Sequence, residues 1–162
     1  MRMIDENNLT QYAKNISRLT FEMEKVCRTK EVFFCDTVNL TPVEFRCLRY
    51  LVRDTFPQVK ELASEMDLTP SRVTNLLNSL EKKGYILREI SSKDRRIMQV
   101  NLTEIGRVFA NDIQDKYVKF HEDILSSIDD ETNLLNMLTS MKTFQTTLEE
   151  FLINKGEKSN GK

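Results

Sequence analysis

The sequence predicts a mainly α fold with one small β-hairpin wing, a winged helix-turn-helix flanked by N- and C-terminal dimerisation helices. Three observations predict it. Apolar residues recur at three- and four-residue spacing through most of the chain, the period of a helix with one buried face. Only four Gly and three Pro stand among 162 residues, which leaves little room for long loops. One region alone changes period: residues 85–90 and 97–102 are short apolar segments around a polar tip, the pattern of a hairpin.

Each element can be justified in order. Leu9, Tyr12, Ala13, Ile16, Leu19, Met23 and Val26 form the stripe of an amphipathic helix of about six turns. It is expected to end in the mixed stretch of residues 28–39, where Val32, Phe33 and Phe34 pack a loop or short turn. Thr41, Pro42 and Glu44 then spell a helix start, with a cap, a proline in the first turn and a capping-box acid. Phe45, Leu48, Leu51 and Val52 make the buried stripe of that helix, which stops before Phe56 and Pro57. A short helix over residues 59–66 turns Leu62, Ala63 and Met66 inward. Asp67, Leu68, Thr69 and Pro70 form a tight connection that launches the next helix, which runs to Lys83 and is closed by Gly84. Two short helices so joined are a helix-turn-helix.

The hairpin follows, its tip formed by Ser91, Ser92, Lys93, Asp94, Arg95 and Arg96. Beyond Thr103 and Gly106 one helix carries Ile105, Phe109, Ile113, Tyr117, Phe120 and Ile124. A last helix opens on Asp129, Asp130 and Glu131, acids that suit a helix N-terminus. The expected division is residues 1–38 as N-terminal dimerisation helix and loop, 39–106 as winged helix-turn-helix, 107–154 as C-terminal dimerisation helices, and 155–162 as a flexible tail. Met137, Met141, Phe144, Leu148 and Phe151 are spaced as a seam for a partner helix. With Leu9 and Ile16 they are the expected dimer contacts. Met137 and Met141 are read as core of that stripe rather than as a binding surface.

Charge points to a partner. Residues 69–101 hold seven basic and three acidic side chains, whereas residues 102–162 hold seven and eleven. A basic middle against an acidic C-terminal third is expected when one surface meets phosphate and another does not. On the helix after Pro70, Val73, Leu76, Leu77 and Leu80 must face the core. The opposite face collects Ser71, Asn75, Asn78 and Lys82, with Arg72 and Ser79 on its flank and no acid. Asn can read adenine and Arg guanine in bidentate fashion. Thr69 joins these candidates at the head of the helix. Lys93, Arg95 and Arg96 then sit where a wing reaches the adjacent minor groove, whose potential draws arginine, and Asp94 can pair with a guanidinium and fix its direction.

Other chemistries are poorly represented. The three cysteines, Cys27, Cys35 and Cys47, include no CxxC, and a single histidine, His121, argues against a metal site. His121 reads as a half-exposed structural residue. No Gly-rich phosphate loop and no Ser-His-Asp set is present, so no catalysis and no cofactor are expected. Charges spread through the first thirty residues exclude a secretory hydrophobic region there, no segment approaches a bilayer span, and the expected setting is cytoplasmic. The rival to a DNA-binding regulator is a helical dimeric protein-interaction module whose winged domain does not read DNA.

The residues just described resemble the multiple-antibiotic-resistance regulator (MarR) family. The likeness runs from Val59 to Ala63, from Leu80 to Ile86, and through the family's wing pattern, Asp-x-Arg then Leu-Thr-x-x-Gly, at Asp94, Arg96, Leu102, Thr103 and Gly106. The resemblance implies a homodimer that places a helix and a wing from each subunit on a pseudopalindromic operator. It implies that Arg96 enters the minor groove and Asp94 orients it. It also leads to the expectation of a small aromatic or anionic effector bound where the dimerisation helices meet the DNA-binding lobe, with a redox alternative through Cys27 or Cys35. The chain departs from the family at Phe56, Pro57 and Gln58, where a short polar cap is common. Cys27, read as near the first helix's end, does not match the reactive cysteine of the family's peroxide sensors.

Overall fold

A computed structural model describes residues 5–53, 59–90 and 97–159. Among these described residues six helices and two strands follow in the order α1 (Glu6–Thr37), α2 (Pro42–Arg53), α3 (Val59–Glu65), α4 (Pro70–Lys82), β1 (Ile86–Ile90), β2 (Met98–Leu102), α5 (Glu104–Leu125) and α6 (Glu131–Ser159). The chain divides into two compact units, Met1–Tyr117 and Val118–Lys162.

Helix α1 departs from expectation. Residues 28–37 continue it instead of forming a loop, so Val32, Phe33 and Phe34 are helical and Cys27 stands ten residues before its end. Phe34 and Cys35 enter the core while Val32 and Phe33 face solvent. No Gly or Pro interrupts this stretch, and the helix stops only where Asn39 takes a left-handed conformation with φ 54°. Asn tolerates that region better than most residues. At the other end Asp5 caps α1, its carboxylate accepting from Asn7 N–H at 2.8 Å.

The helix-turn-helix forms as its local signals dictate. In α2 the capping box closes both ways: Thr41 N–H donates to Glu44 Oε2 at 2.8 Å, and Glu44 N–H donates to Thr41 Oγ1 at 3.3 Å. Phe45, Leu48 and Leu51 are buried, and Val52 is half-buried. Asp67, φ 50°, makes the turn after α3. Thr69 caps α4, accepting from Arg72 N–H at 3.4 Å, and Pro70 occupies its first turn. Gly84, φ 76°, ends the helix, with Gly84 N–H donating to Glu81 O and Tyr85 N–H to Leu80 O, the paired bonds of a Schellman stop. Phe56 and Pro57 lie outside the described residues.

β1 and β2 pair antiparallel from Ile86 opposite Leu102 to Ile90 opposite Met98. Ile86 and Val100 turn into the core with Leu62, Val73, Leu77 and Leu80. The hairpin root is locked to α5. Thr103 Oγ1 donates to Gly84 O at 2.7 Å and accepts from Gly106 N–H at 2.9 Å, while Thr103 N–H donates to Tyr85 O at 3.0 Å. Tyr85 stacks on Phe109 with ring centroids 4.3 Å apart. Of the apolar residues expected along α5, Ile113 is buried, together with Gly106 and Ala110, but Ile105 and Ile124 face solvent.

On the other side of α2, Phe34, Phe45 and Tyr117 form an aromatic cluster with centroids 4.8–5.2 Å apart. The Arg49 guanidinium lies over two of these rings and donates to Gln114 Oε1 at 3.0 Å. Arg46 grips Glu31 of α1 through both Nε and Nη2.

In the second unit, α6 opens on Asp130, whose carboxylate accepts from Thr132 N–H at 2.9 Å. The helix continues to Ser159, past residue 154, where polarity alone suggested that helix gives way to tail. Among the described residues no helix is long and apolar enough to cross a membrane.

Candidate nucleic-acid interface

The second helix of the helix-turn-helix has the two faces its sequence requires. Val73, Leu76, Leu77 and Leu80 are buried. Ser71, Arg72, Asn75, Asn78 and Lys82 are all exposed. That outward face therefore presents hydroxyl, amide and cationic groups and no carboxylate, the set suited to base edges and phosphate oxygens. Arg72 and Asn75 also line a groove of about 420 Å³ that is walled by Thr41, Val43 and Leu68. The expected wing residues Lys93, Asp94, Arg95 and Arg96 lie outside the described residues. Their two strands emerge directly after α4, so the hairpin and the exposed polar face of α4 share one root.

Two expected members of this surface act differently. Thr69 is exposed, yet its hydroxyl caps α4. Ser79, placed by sequence on the flank of the reading face, turns inward and donates to Glu44 Oε1 at 2.7 Å. Lys83 Nζ donates to Glu44 Oε2 at 2.9 Å. Glu44 is 3% exposed and was legible only as a capping residue. Its contacts with Ser79 and Lys83 span 35 and 39 positions, and no local pattern announces them.

Burial by itself would push the Glu44 carboxyl up. The hydrogen bonds from Thr41 N–H, Lys83, Ser79 and the Thr41 hydroxyl outweigh burial and hold it below the ordinary carboxylate value. A depressed folded-state pKa stabilises the protein above the unfolded value of 4.5, and the gain is lost as pH falls through the folded value. We therefore expect Glu44→Gln to cost about 1–2 kcal/mol near pH 7. The gap from wild type should close progressively below pH 4.5, measured by urea denaturation across the series. A gap that stays constant to about pH 3.5 would contradict this account.

The hairpin carries its own ion pair. Arg88 on β1 pairs with Glu81 at the end of α4 and holds that carboxyl below its usual range. Asn101 on β2 donates to Glu89 at 2.8 Å. Strands and helix are thus joined at both the root and the flank.

The expected dimer contacts are exposed in the single chain: Leu9 and Ile16 on α1, and Met141, Phe144, Leu148 and Phe151 on α6. Met137 is half-buried. The reading of Met137 and Met141 as core does not hold within one chain, because α6 contributes no fully buried side chain there. Cys35 and Cys47 are buried, and Cys27 is exposed. Burial, with help from Glu31, pushes the Cys35 thiol up to about 11, and burial pushes Cys47 up to about 12. Burial and a raised pKa both disfavour the thiolate at Cys35 and Cys47. His121 is half-buried beside Phe120. Among the described residues no cluster of His, Cys, Asp or Glu could hold a metal ion.

A short helix pair whose second member turns an acid-free polar face to solvent, followed by a two-stranded hairpin, defines a winged helix-turn-helix protein. The MarR family model matches residues 40–98, the span from α2 into the second strand. Over 126 residues the chain is 26% identical to the HTH-type transcriptional regulator SarZ of Staphylococcus aureus, covering 78% of this chain and 85% of that protein. Its fold is shared with MepR, a transcription regulator of the S. aureus multidrug efflux pump MepA (TM-score 0.70, 19% identity, 82% of this chain and 97% of that one). MepR in complex with DNA (TM-score 0.61, 20% identity, 80% and 96%) and wild-type E. coli MarR in its apo form (TM-score 0.69, 15% identity, 88% and 98%) share it too. Over residues 40–98 the chain is similar to the MarR family, and with the likeness to SarZ this makes it a DNA-binding transcription regulator.

Proposed function

We propose that the chain is a cytoplasmic, homodimeric, effector-responsive repressor that reads a pseudopalindromic operator in double-stranded DNA, and that it acts by binding rather than by catalysis. The observation that carries the reading is the exposed face of α4, where Ser71, Arg72, Asn75, Asn78 and Lys82 meet solvent together without an acid. In this reading residues 39–106 contact DNA, and α1 and α6 pair with a second copy. Arg72 and Asn75 address base edges, Lys82 and Lys93 meet phosphate, and Arg96, directed by Asp94, enters the minor groove with Arg95 beside it. The resemblance to SarZ and to MepR, which has been solved bound to DNA, supports it.

The effector is a small organic anion. A groove of about 300 Å³ beside α2 supports this: Arg46, Arg49, Arg53 and Tyr50 line it with Glu65 and the apolar Met66 and Leu68. Although Arg46 already pairs with Glu31 and Arg49 with Gln114, the cations outnumber the one acid. An occupant there would bear on the turn that launches α4, and differential affinity for two placements of that helix would shift operator binding.

The test is a set of binding curves on a duplex selected from a random pool by the wild-type protein, and on the unselected pool. Asn75→Ala and Arg72→Ala should each cost about 1–3 kcal/mol on the selected duplex and far less on the pool. Lys82→Ala should weaken both alike and lower the salt dependence by about one ion per subunit. Equal losses for Asn75→Ala on both DNAs would show that this face does not read sequence.

A further inference from the structure

Among the described residues the charged side chain placed in the core is Glu44. A capping-box acid needs only its own helix terminus. Here one carboxylate oxygen serves the α2 cap through Thr41 N–H and Lys83 Nζ, while the other accepts from Ser79. Lys83, the C-cap of α4, lies one turn after Ser79, and Asn75 lies one turn before Ser79 on the same stripe. Arg72, Asn75 and Ser79 line a common groove with Glu44.

The apolar side of α4 cannot supply what this contact supplies. Packing of Val73, Leu76, Leu77 and Leu80 is non-directional and tolerates small rotations and slips of a helix along its axis. Hydrogen bonds to a carboxylate that is itself pinned to the α2 cap are directional. Displacing α4 by a fraction of a turn would carry Asn75 away from its base while leaving the surface cationic. From this juxtaposition we infer that Glu44 is a positioning residue for sequence recognition. It fixes the rotation of α4 through Ser79 and Lys83, and so governs the discrimination between operator and other DNA more than the affinity for DNA as such. The inference rests on α4 being the reading helix, as proposed above.

The experiment compares the full-length wild type with Glu44→Gln, Ser79→Ala, the double variant and Lys83→Met. Each is titrated with the selected duplex and the unselected pool, and thermal stability is recorded beside binding. Glu44→Gln should lower the ratio of selected to unselected affinity about tenfold, the scale of one misplaced base contact, with binding to the pool nearly unchanged. Ser79→Ala should lower the ratio in the same sense, and the double variant should fall no further than Glu44→Gln alone, as expected for partners in one contact. Should Glu44→Gln not fold, Ser79→Ala and Lys83→Met carry the same readout. A full wild-type ratio in a less stable protein would make Glu44 merely structural and overturn the inference, as would equal losses on both DNAs. Asn75→Ala separates the two readings. If it lowers the ratio while Glu44→Gln, Ser79→Ala and Lys83→Met do not, α4 reads DNA and only the positioning role fails. If it leaves the ratio intact, the reading face itself is wrong.

Discussion

Gly106→Ala is expected to destabilise the folded protein by at least about 3 kcal/mol, at the upper end of overpacking effects. A Cβ at this position would stand 1.8 Å from the carbonyl oxygen of Tyr85, 2.7 Å from its carbonyl carbon and 2.9 Å from its Cα. All three are backbone atoms, so no side chain can swing aside. The Tyr85 carbonyl is further tied by Thr103 N–H, and the Thr103 hydroxyl ties Gly84 to Gly106. The first turn of α5 would have to lift from the hairpin root, separating Tyr85 from Phe109 and loosening the platform of the wing. Gly84 provides the contrast. Its φ of 76° disfavours other residues, but nothing lies within 4 Å of an added Cβ. Gly84→Ala should therefore cost only the backbone penalty, about 1–2 kcal/mol. Denaturant titration of the two variants measures both, and a larger loss at Gly84 than at Gly106 would refute the packing argument.

These two glycines also mark what a sequence discloses. Gly84 is legible as a helix stop because the signal is local: a capped helix, an apolar stripe and a residue free to turn left-handed. The same holds for the starts at Thr41 and Thr69. Gly106 is legible as part of a motif, but the reason for it, contact with the Tyr85 backbone, appears only when α5 is laid on the hairpin. The length of α1 escaped because its stop is Asn39 in a left-handed conformation, and no Gly or Pro precedes it. The exposed polar face of α4 could be derived from helical periodicity, since burial of one stripe dictates exposure of the other. The inward turn of Ser79 could not, because its partner lies on another helix. Arg46 and Arg49 show the same limit. The sequence reading of α2 assigned them no part, while the structure commits one to Glu31 and the other to Gln114 and two aromatic rings.

Phe144→Glu combined with Leu148→Glu is expected to reduce affinity for the selected duplex about 100-fold or more, although neither residue lies near the reading face in sequence. In the single chain both side chains are already exposed, Phe144 at 41% and Leu148 at 44%. If the protein worked as a monomer, placing glutamate at two exposed helical positions would change stability by no more than about 0.5 kcal/mol at each. DNA binding would then be untouched. The apolar content of these surfaces argues otherwise. Leu135, Leu138, Met141, Phe151 and Leu152 are exposed on α6, as are Leu9, Tyr12, Ile16, Leu19 and Met23 on α1. Exposed apolar runs on this scale are unusual on a monomeric protein and mark a surface meant to be covered. On α6 the seam from Met137 to Phe151 repeats every three or four residues, the spacing that suits a partner helix. Two glutamates in that seam would bury unpaired charge in the pair of chains, and the pair would separate. Each subunit would then engage a single half-site and lose the gain of a linked second contact, a factor of about 10² to 10⁴. Sedimentation at micromolar concentration should show the wild type as a dimer and the double variant as a smaller species. A wild-type protein that sediments as a stable folded monomer would end the dimer proposal. So would a double variant that binds the selected duplex as tightly as wild type.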